Sequence, residues 1–280
     1  MTNRQLDRRE FLNWTIPAGI GLCSCFGCRT TPITQRRQLL LVPESQELQL
    51  GVAAYEEVKT KNKISTNAKY KEVVDRVGQR LAEAAARQNL GTNFDWEFVV
   101  IEDQTQNAFC LPGGKVAFYE GILPVCQNEG GIAVVMSHEI SHALARHGGE
   151  RMSQQLEVEG AGKILQAVVK RQAPDKEQVF LTAYNAGAKY GFVLPYSRKH
   201  ESEADEMGIH ILAKAGYDPS EAPKFWERFS SAKSGQAPPE FASTHPSDER
   251  RASALRALLP QALEEYQTAP TKHGIGVPIA

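Results

Sequence analysis

Apolar positions recur along the chain with two periods. Over residues 47–61, Leu48, Val52, Tyr55 and Val58 follow helical spacing, with Ser45 as a candidate cap. Residues 67–88 repeat the pattern, with Tyr70, Val73, Val74, Val77 and Leu81 on one side and Asn89 and Gly91 beyond the end. Residues 94–101 alternate instead, with Phe94, Trp96, Phe98 and Val100 set against Asp95 and Glu97, which is the period of a strand. Residues 39–42 read as a short strand, and 107–118 as two short strands around Pro112-Gly113-Gly114. Residues 130–147 are apolar on most sides, predicting a buried helix ended by Gly148 and Gly149. Further helices are predicted over 150–172, 197–215, 219–232 and 246–259; the third opens on the capping box Asp218-Pro219-Ser220-Glu221. Residues 179–194 mix small and aromatic side chains, which suits close helix packing or a lid over a site. Many helices around few strands predict an α+β, predominantly helical domain over 39–266. The tail, 267–280, lacks periodicity and is expected to be loosely held.

The N-terminus follows other rules. Arg4, Arg8 and Arg9 precede an apolar run of about a dozen residues, interrupted by Asn13 and Pro17 and too short to span a bilayer. The pair Arg8-Arg9 before Phe11-Leu12 resembles a twin-arginine export signal. Leu22-Cys23-Ser24-Cys25 resembles a bacterial lipobox, making Cys25 the first candidate for lipidation ahead of Cys28 and Cys23. Residues 1–28 are therefore expected to be an export segment and 29–38 a polar tether. The expected location is the bacterial envelope or periplasm, held to the membrane by a lipid anchor. Cys110 and Cys126 are the other two cysteines; an exported protein could pair them, and their apolar surroundings equally suit buried thiols.

Composition changes little. Hydrophobic residues at 41% and charged ones at 23% are ordinary for a globular protein, and a net charge of −1 gives no reason to expect a nucleic-acid partner. The seven histidines matter more, because most lie near two segments that carry chemistry.

The first is His138-Glu139-Ile140-Ser141-His142. A helix advances about 100° per residue, so His138 and His142 lie one turn apart on one face and can grip one Zn²⁺. Glu139 points beside that position, where a general base for water belongs. The second is the run from Ser197, in which Glu201 and Asp205 share a helix face that also carries apolar residues. One can be the third metal ligand and the other can hold a ligand histidine by its free ring nitrogen; side-chain physics permits either assignment. His245, at the start of the last predicted helix, could stabilise an oxyanion, occupy an open coordination position, or simply cap the helix. Asn107, Ala108, Phe109, Cys110 and Leu111 form a candidate edge strand for an extended polypeptide, or an ordinary hairpin.

Taken together, HExxH, the downstream Glu201-Ser202-Glu203-Ala204-Asp205, Asn107-Ala108-Phe109 with Pro112-Gly113-Gly114, and Thr244-His245-Pro246-Ser247 resemble the CAAX-prenyl-endopeptidase/HtpX-like zinc metalloendopeptidases. The resemblance covers roughly 40–260 and is nearest to their exported bacterial envelope branch. It implies a zincin-like (minigluzincin) domain with a small sheet flanking the HExxH helix. It further implies one Zn²⁺ held by His138, His142 and Glu201, with Glu139 as the base and Asp205 supporting a ligand. His245 and Arg251 recur in the family, His245 as a regulatory or transition-state residue. Membrane-spanning members carry several hydrophobic helices that this chain lacks, so the resemblance points to unfolded or misassembled envelope polypeptides as substrates. A different class remains open: a latent or non-catalytic, chaperone-like lipoprotein whose zinc is closed by a fourth protein ligand.

Overall fold

In a computed structural model, residues 28–172, 197–231, 241, 243, 245 and 249–279 are described. The export segment, Cys25 and residues 179–194 lie outside them. The described chain is predominantly helical with two small sheets.

The chain begins with a hairpin of β1 (Cys28–Thr30) and β2 (Arg37–Leu39), paired antiparallel. Helices α1 (Glu44–Lys61) and α2 (Ala68–Ala86) follow, then β3 (Glu97–Ile101), β4 (Ala108–Leu111) and β5 (Lys115–Tyr119). The short helix α3 (Leu123–Cys126) leads into α4 (Glu129–Leu144), α5 (His147–Gln172), α6 (Arg198–Lys214), α7 (Glu221–Ser231) and α8 (Glu249–Gln267).

Local chemistry accounts for several boundaries. Asn67 starts α2 by accepting from the backbone N–H groups of Lys69 and Tyr70, and Asn128 starts α4 by accepting from that of Gly131. Between β4 and β5, Gly113 and Gly114 both take positive φ, 89° and 80°, which only glycine adopts without strain. The predicted end of α4 needs correction. The break is at Arg146, with φ 55°, and Gly148 and Gly149 lie in the first turn of α5. A non-glycine residue there costs roughly 1–2 kcal/mol. Arg146 offsets this through its guanidinium, which meets Glu47 at 2.6 Å and the Val42 carbonyl at 3.1 Å. The turn is tight enough to bring His147 back beside His142.

The three-stranded sheet runs β3-β5-β4, with β3 parallel and β4 antiparallel to β5. On one face Tyr55 of α1 donates to the Val116 carbonyl at 3.0 Å. Every residue of α4 is buried, enclosed by α2, β4, α6 and α7. Gly208 lets α6 approach closely, since a Cβ there would stand 3.2 Å from the His138 nitrogen.

Three further expectations change. Residues 29–38 were expected to form a tether, yet they build the hairpin, docked by Arg36 against Glu150 and Glu203. The tail is tied down: the carbonyls of Ile275 and Val277 accept from Gly130 and Glu129, two of the four N–H groups that α4 leaves unpaired at its start. The last helix also continues through Pro260 to Gln267, beyond the predicted end at 259. Cys110 and Cys126 are free thiols, and burial raises the pKa of both. No helix among the described residues is long and apolar enough to cross a membrane.

Candidate metal centre

The helical spacing places His138 and His142 with their Nε2 atoms 3.1 Å apart. α6 crosses α4 at Gly208 and sets Glu201 beside them: Oε2 lies 3.3 Å from His138 Nε2 and Oε1 3.4 Å from His142 Nε2. His245 completes the group, its Nδ1 standing 3.3 Å from His138 Nε2 and 3.1 Å from Glu201 Oε1. All four side chains are buried, and their donor atoms lie within 4.8 Å of one another. His245 is held by its own turn, donating backbone N–H to the Phe241 carbonyl at 2.8 Å, and by stacking on the Phe241 ring.

These spacings can be tested against an ion. Donors placed tetrahedrally about 2.0–2.1 Å from a centre stand roughly 3.3 Å apart. The chemistry agrees: imidazole nitrogens and a carboxylate oxygen suit zinc-like cations. Glu201 Oε2 and Glu139 Oε1 are buried oxygens that accept no well-aligned hydrogen bond, although cationic or ring N–H groups stand within 3.0–3.4 Å of each. Three buried carboxylates, Glu139, Glu201 and Asp205, face one buried guanidinium, Arg251, and a dication is the charge that balances them. The residues present therefore fit a divalent metal.

The surroundings fix the ligand rings. Asp205 Oδ1 lies 3.0 Å from His138 Nδ1, which directs Nε2 toward the other donors. Arg251 grips Asp205 with both arms at 2.7 Å, reaches Glu201 Oε2 at 3.0 Å, and lies 3.5 Å from the centre of the Trp226 ring. Burial works against the charge on Asp205, but Arg251 and His138 outweigh it and hold its pKa below the ordinary value. Glu201 likewise resists burial through His138, His142 and His245, and stays well below the carboxylate range. Glu139 has fewer compensating partners, and burial pushes it up to about 7. Burial also drives His142 well below its ordinary value, keeping its ring neutral.

The expected site residues thus divide. His138, Glu139, His142, Glu201, Asp205, His245 and Arg251 meet in one place, and the geometry puts Asp205, not Glu201, against a ring Nδ1. The candidate edge is only partly near it. β4 is an outer strand of its sheet, and Cys110 and Leu111 line a groove of about 360 Å³ with His142 and Arg146. Asn107, Ala108 and Phe109 do not line that groove; Asn107 turns its Oδ1 onto the Ala108 N–H, and Phe109 packs on Tyr119. A polar cluster escaped the sequence reading altogether. His147, His200, Glu150, Glu203 and Arg36 lie buried or nearly so behind His142. Glu203, two residues after Glu201, faces the other side of the helix, so helical spacing does not join them; the clustering of histidines was the available signal.

Comparison with known proteins gives this geometry a context. The profile of peptidase family M48 matches residues 68–259, which span the centre from α2 to α8. The chain is 33% identical over 276 residues to the mitochondrial metalloendopeptidase OMA1 of Schizosaccharomyces pombe, covering 97% of this chain and 78% of that protein. It is 32% identical over 252 residues to the Saccharomyces cerevisiae OMA1, covering 84% and 70%. It is also 30% identical over 241 residues to the beta-barrel assembly-enhancing protease of Escherichia coli K12, covering 81% of this chain and 48% of that protein. The chain thus spans about half the length of this last relative. A matched domain that contains the whole histidine–carboxylate cluster, and relatives similar over most of the chain, place it in peptidase family M48 as a metal-dependent metalloendopeptidase.

Proposed function

We propose that the chain is a zinc-dependent endopeptidase of the CAAX-prenyl-endopeptidase/HtpX-like type that cleaves unfolded or misassembled cell-envelope polypeptides. One observation carries the reading: three donors from His138, His142 and Glu201 spaced 3.1–3.4 Å apart, with a buried carboxylate next to them in sequence. In this reading His138, His142 and Glu201 hold the zinc, and Asp205 and Arg251 orient them. A bound zinc ion would supply Lewis acidity toward water and the peptide carbonyl. Glu139 takes the proton of the attacking water and hands it to the leaving amine. The substrate backbone lies along β4, where antiparallel alternation turns the amide group of Cys110 away from β5, while the Ala108 N–H, also turned away, is taken by Asn107 Oδ1. Similarity to a beta-barrel assembly-enhancing protease supports the envelope setting, and the twin-arginine and lipobox patterns support export and a lipid anchor at Cys25. Residues 1–28 would be the export segment and 39–266 the catalytic domain of a minigluzincin.

The test is zinc content together with casein cleavage, wild type beside Glu139→Gln. One zinc per chain in both, with cleavage lost by about 10²-fold or more in the variant, is expected. Cleavage at the wild-type rate in Glu139→Gln would remove the base from the mechanism.

A second reading has its own observation. His245 Nδ1 stands as near to His138 Nε2 and Glu201 Oε1 as the three ligand atoms stand to one another, so the described conformation has four donors. That is the donor set of a closed, latent centre. Zinc without turnover in the wild type, and turnover restored in His245→Ala, would establish latency.

A further inference from the structure

The hydrogen bonds behind His142 can be followed proton by proton. If Nε2 of His142 faces the metal, as in the reading above on which this rests, its Nδ1 carries a hydrogen. His147 Nδ1 lies 2.9 Å away and must accept it. His147 then carries its own hydrogen on Nε2, which lies 3.0 Å from Glu203 Oε2. Glu203 accepts from every side. Thr31 donates to Oε1 at 2.6 Å, Thr34 donates to the same oxygen, and Arg36 Nε donates to Oε2 at 2.5 Å. Arg36 also forks onto Glu150 at 2.8 and 2.6 Å, and Glu150 meets His200, whose ring stacks on His147 at 4.4 Å. His147 and Thr31 are fully buried and Glu203 is nearly so, so water does not substitute for these partners.

The pattern parallels that on the other ligand, where Asp205 holds His138 directly. For His142 the carboxylate acts through one extra imidazole. His147 is placed by the left-handed turn at Arg146 just before it, whereas Glu203 depends on distant chain, the hairpin at 28–39.

We propose that His147 is a positioning residue for the metal ligand His142, and that the N-terminal hairpin, through Thr31, Thr34 and Arg36 on Glu203, is part of the metal-binding apparatus. The hairpin contributes no donor to the metal. It fixes the carboxylate that fixes His147, and so fixes the tautomer and ring plane of His142. Loosening the hairpin should therefore be read at the metal centre, about a hundred residues away in sequence.

The experiment uses the full chain and measures zinc affinity by chelator competition, with Co²⁺ substitution as a spectroscopic check on ligand geometry. The variants are His147→Leu, His147→Gln and Thr31→Val with Thr34→Val. Leucine fills the space and can neither accept nor donate; glutamine can accept from His142 and donate to Glu203. Loss of an outer hydrogen-bond partner typically weakens metal binding by about 10–100-fold. Expected are a loss of that order for His147→Leu, recovery to within about threefold of wild type for His147→Gln, and a smaller loss for the double valine variant, with Co²⁺ band shifts in the same order. Metal-free melting temperatures report folding separately. Equal affinity in wild type and His147→Leu would overturn the proposal while leaving the metal centre intact. Equal loss in His147→Leu and His147→Gln, tracking the metal-free melting temperature, would reduce His147 to packing and overturn it too. A wild-type chain that binds no zinc would overturn the reading of the centre itself.

Discussion

Arg251→Leu separates the contribution of the buried guanidinium from that of a bound metal. Arg251 is buried and makes two 2.7 Å bonds to Asp205 and a 3.0 Å contact to Glu201. Leucine leaves Asp205 with the His138 ring as its remaining polar contact among these and leaves Glu201 facing three imidazoles. Breaking a buried ion pair on one side typically costs about 3–5 kcal/mol, because the partner charge stays buried. At about 2–4 °C per kcal/mol for a domain of this size, the metal-free protein should melt roughly 6–20 °C lower. A dication changes the sum. One unit charge about 4 Å away is worth roughly 4 kcal/mol at an effective dielectric of 20, so bound zinc can replace most of the missing balance at Glu201. The zinc-loaded variant should then lose less than about half as much as the metal-free one. By linkage its folded state should bind zinc more tightly than the wild type does. Arg251→Lys keeps the charge and loses the fork, and should fall in between. Thermal and urea unfolding of chelator-treated and zinc-loaded protein decide the matter. Equal losses with and without zinc, or a metal-free Arg251→Leu as stable as wild type, would refute the charge-balance reasoning.

Other outcomes follow from the same geometry. In Gly208→Ala a methyl would stand 3.2 Å from the His138 nitrogen and 3.3 Å from the Ser137 carbonyl carbon. Overpacking of about 1–3 kcal/mol should outweigh a helix-propensity gain of at most about 1 kcal/mol, so the melting temperature and zinc affinity should fall together. A more stable variant would mean that α4 and α6 can move apart freely. For Glu150, burial disfavours the charge, but His200 and Arg36 outweigh it and hold the pKa at about 2 against an ordinary 4.5. A depressed pKa contributes stability above the unfolded value that is lost as pH falls through the folded one. The wild type should therefore exceed Glu150→Gln by about 1–2 kcal/mol near pH 7 after solvent screening, with the gap closing between pH 4.5 and 2. Urea unfolding at several pH values measures it, and a gap independent of pH in that window would contradict the assignment. Chelator-treated wild type should melt below the zinc-loaded form, by an amount that grows with free zinc concentration.

Sequence by itself determined the parts of this protein that repeat or that sit on one element. The periods of 3.6 and 2 placed α1, α2, β3 and the β4–β5 hairpin within a few residues, because the side chains on one face of such an element share one environment. HExxH put two imidazoles on one helix face, since spacing along a helix is rigid. Glu201, Asp205 and His245 were candidates from local chemistry, but assigning their roles at the HExxH helix, and adding Arg251, depended on a family resemblance, because nothing local says that α6 and residue 245 meet α4. Tertiary structure alone decided which carboxylate faces a ring Nδ1, that four donors converge, and that Gly208 allows the approach. It also decided what spacing could not. Glu203 lies away from Glu201 on its helix, so its meaning appeared only when the hairpin and His147 closed around it. The tail and the stretch 29–38 read as loose because they lack periodicity. They are held by backbone bonds to the start of α4 and by ion pairs to α5 and α6, which follow from long-range closure and leave no pattern of their own in the sequence.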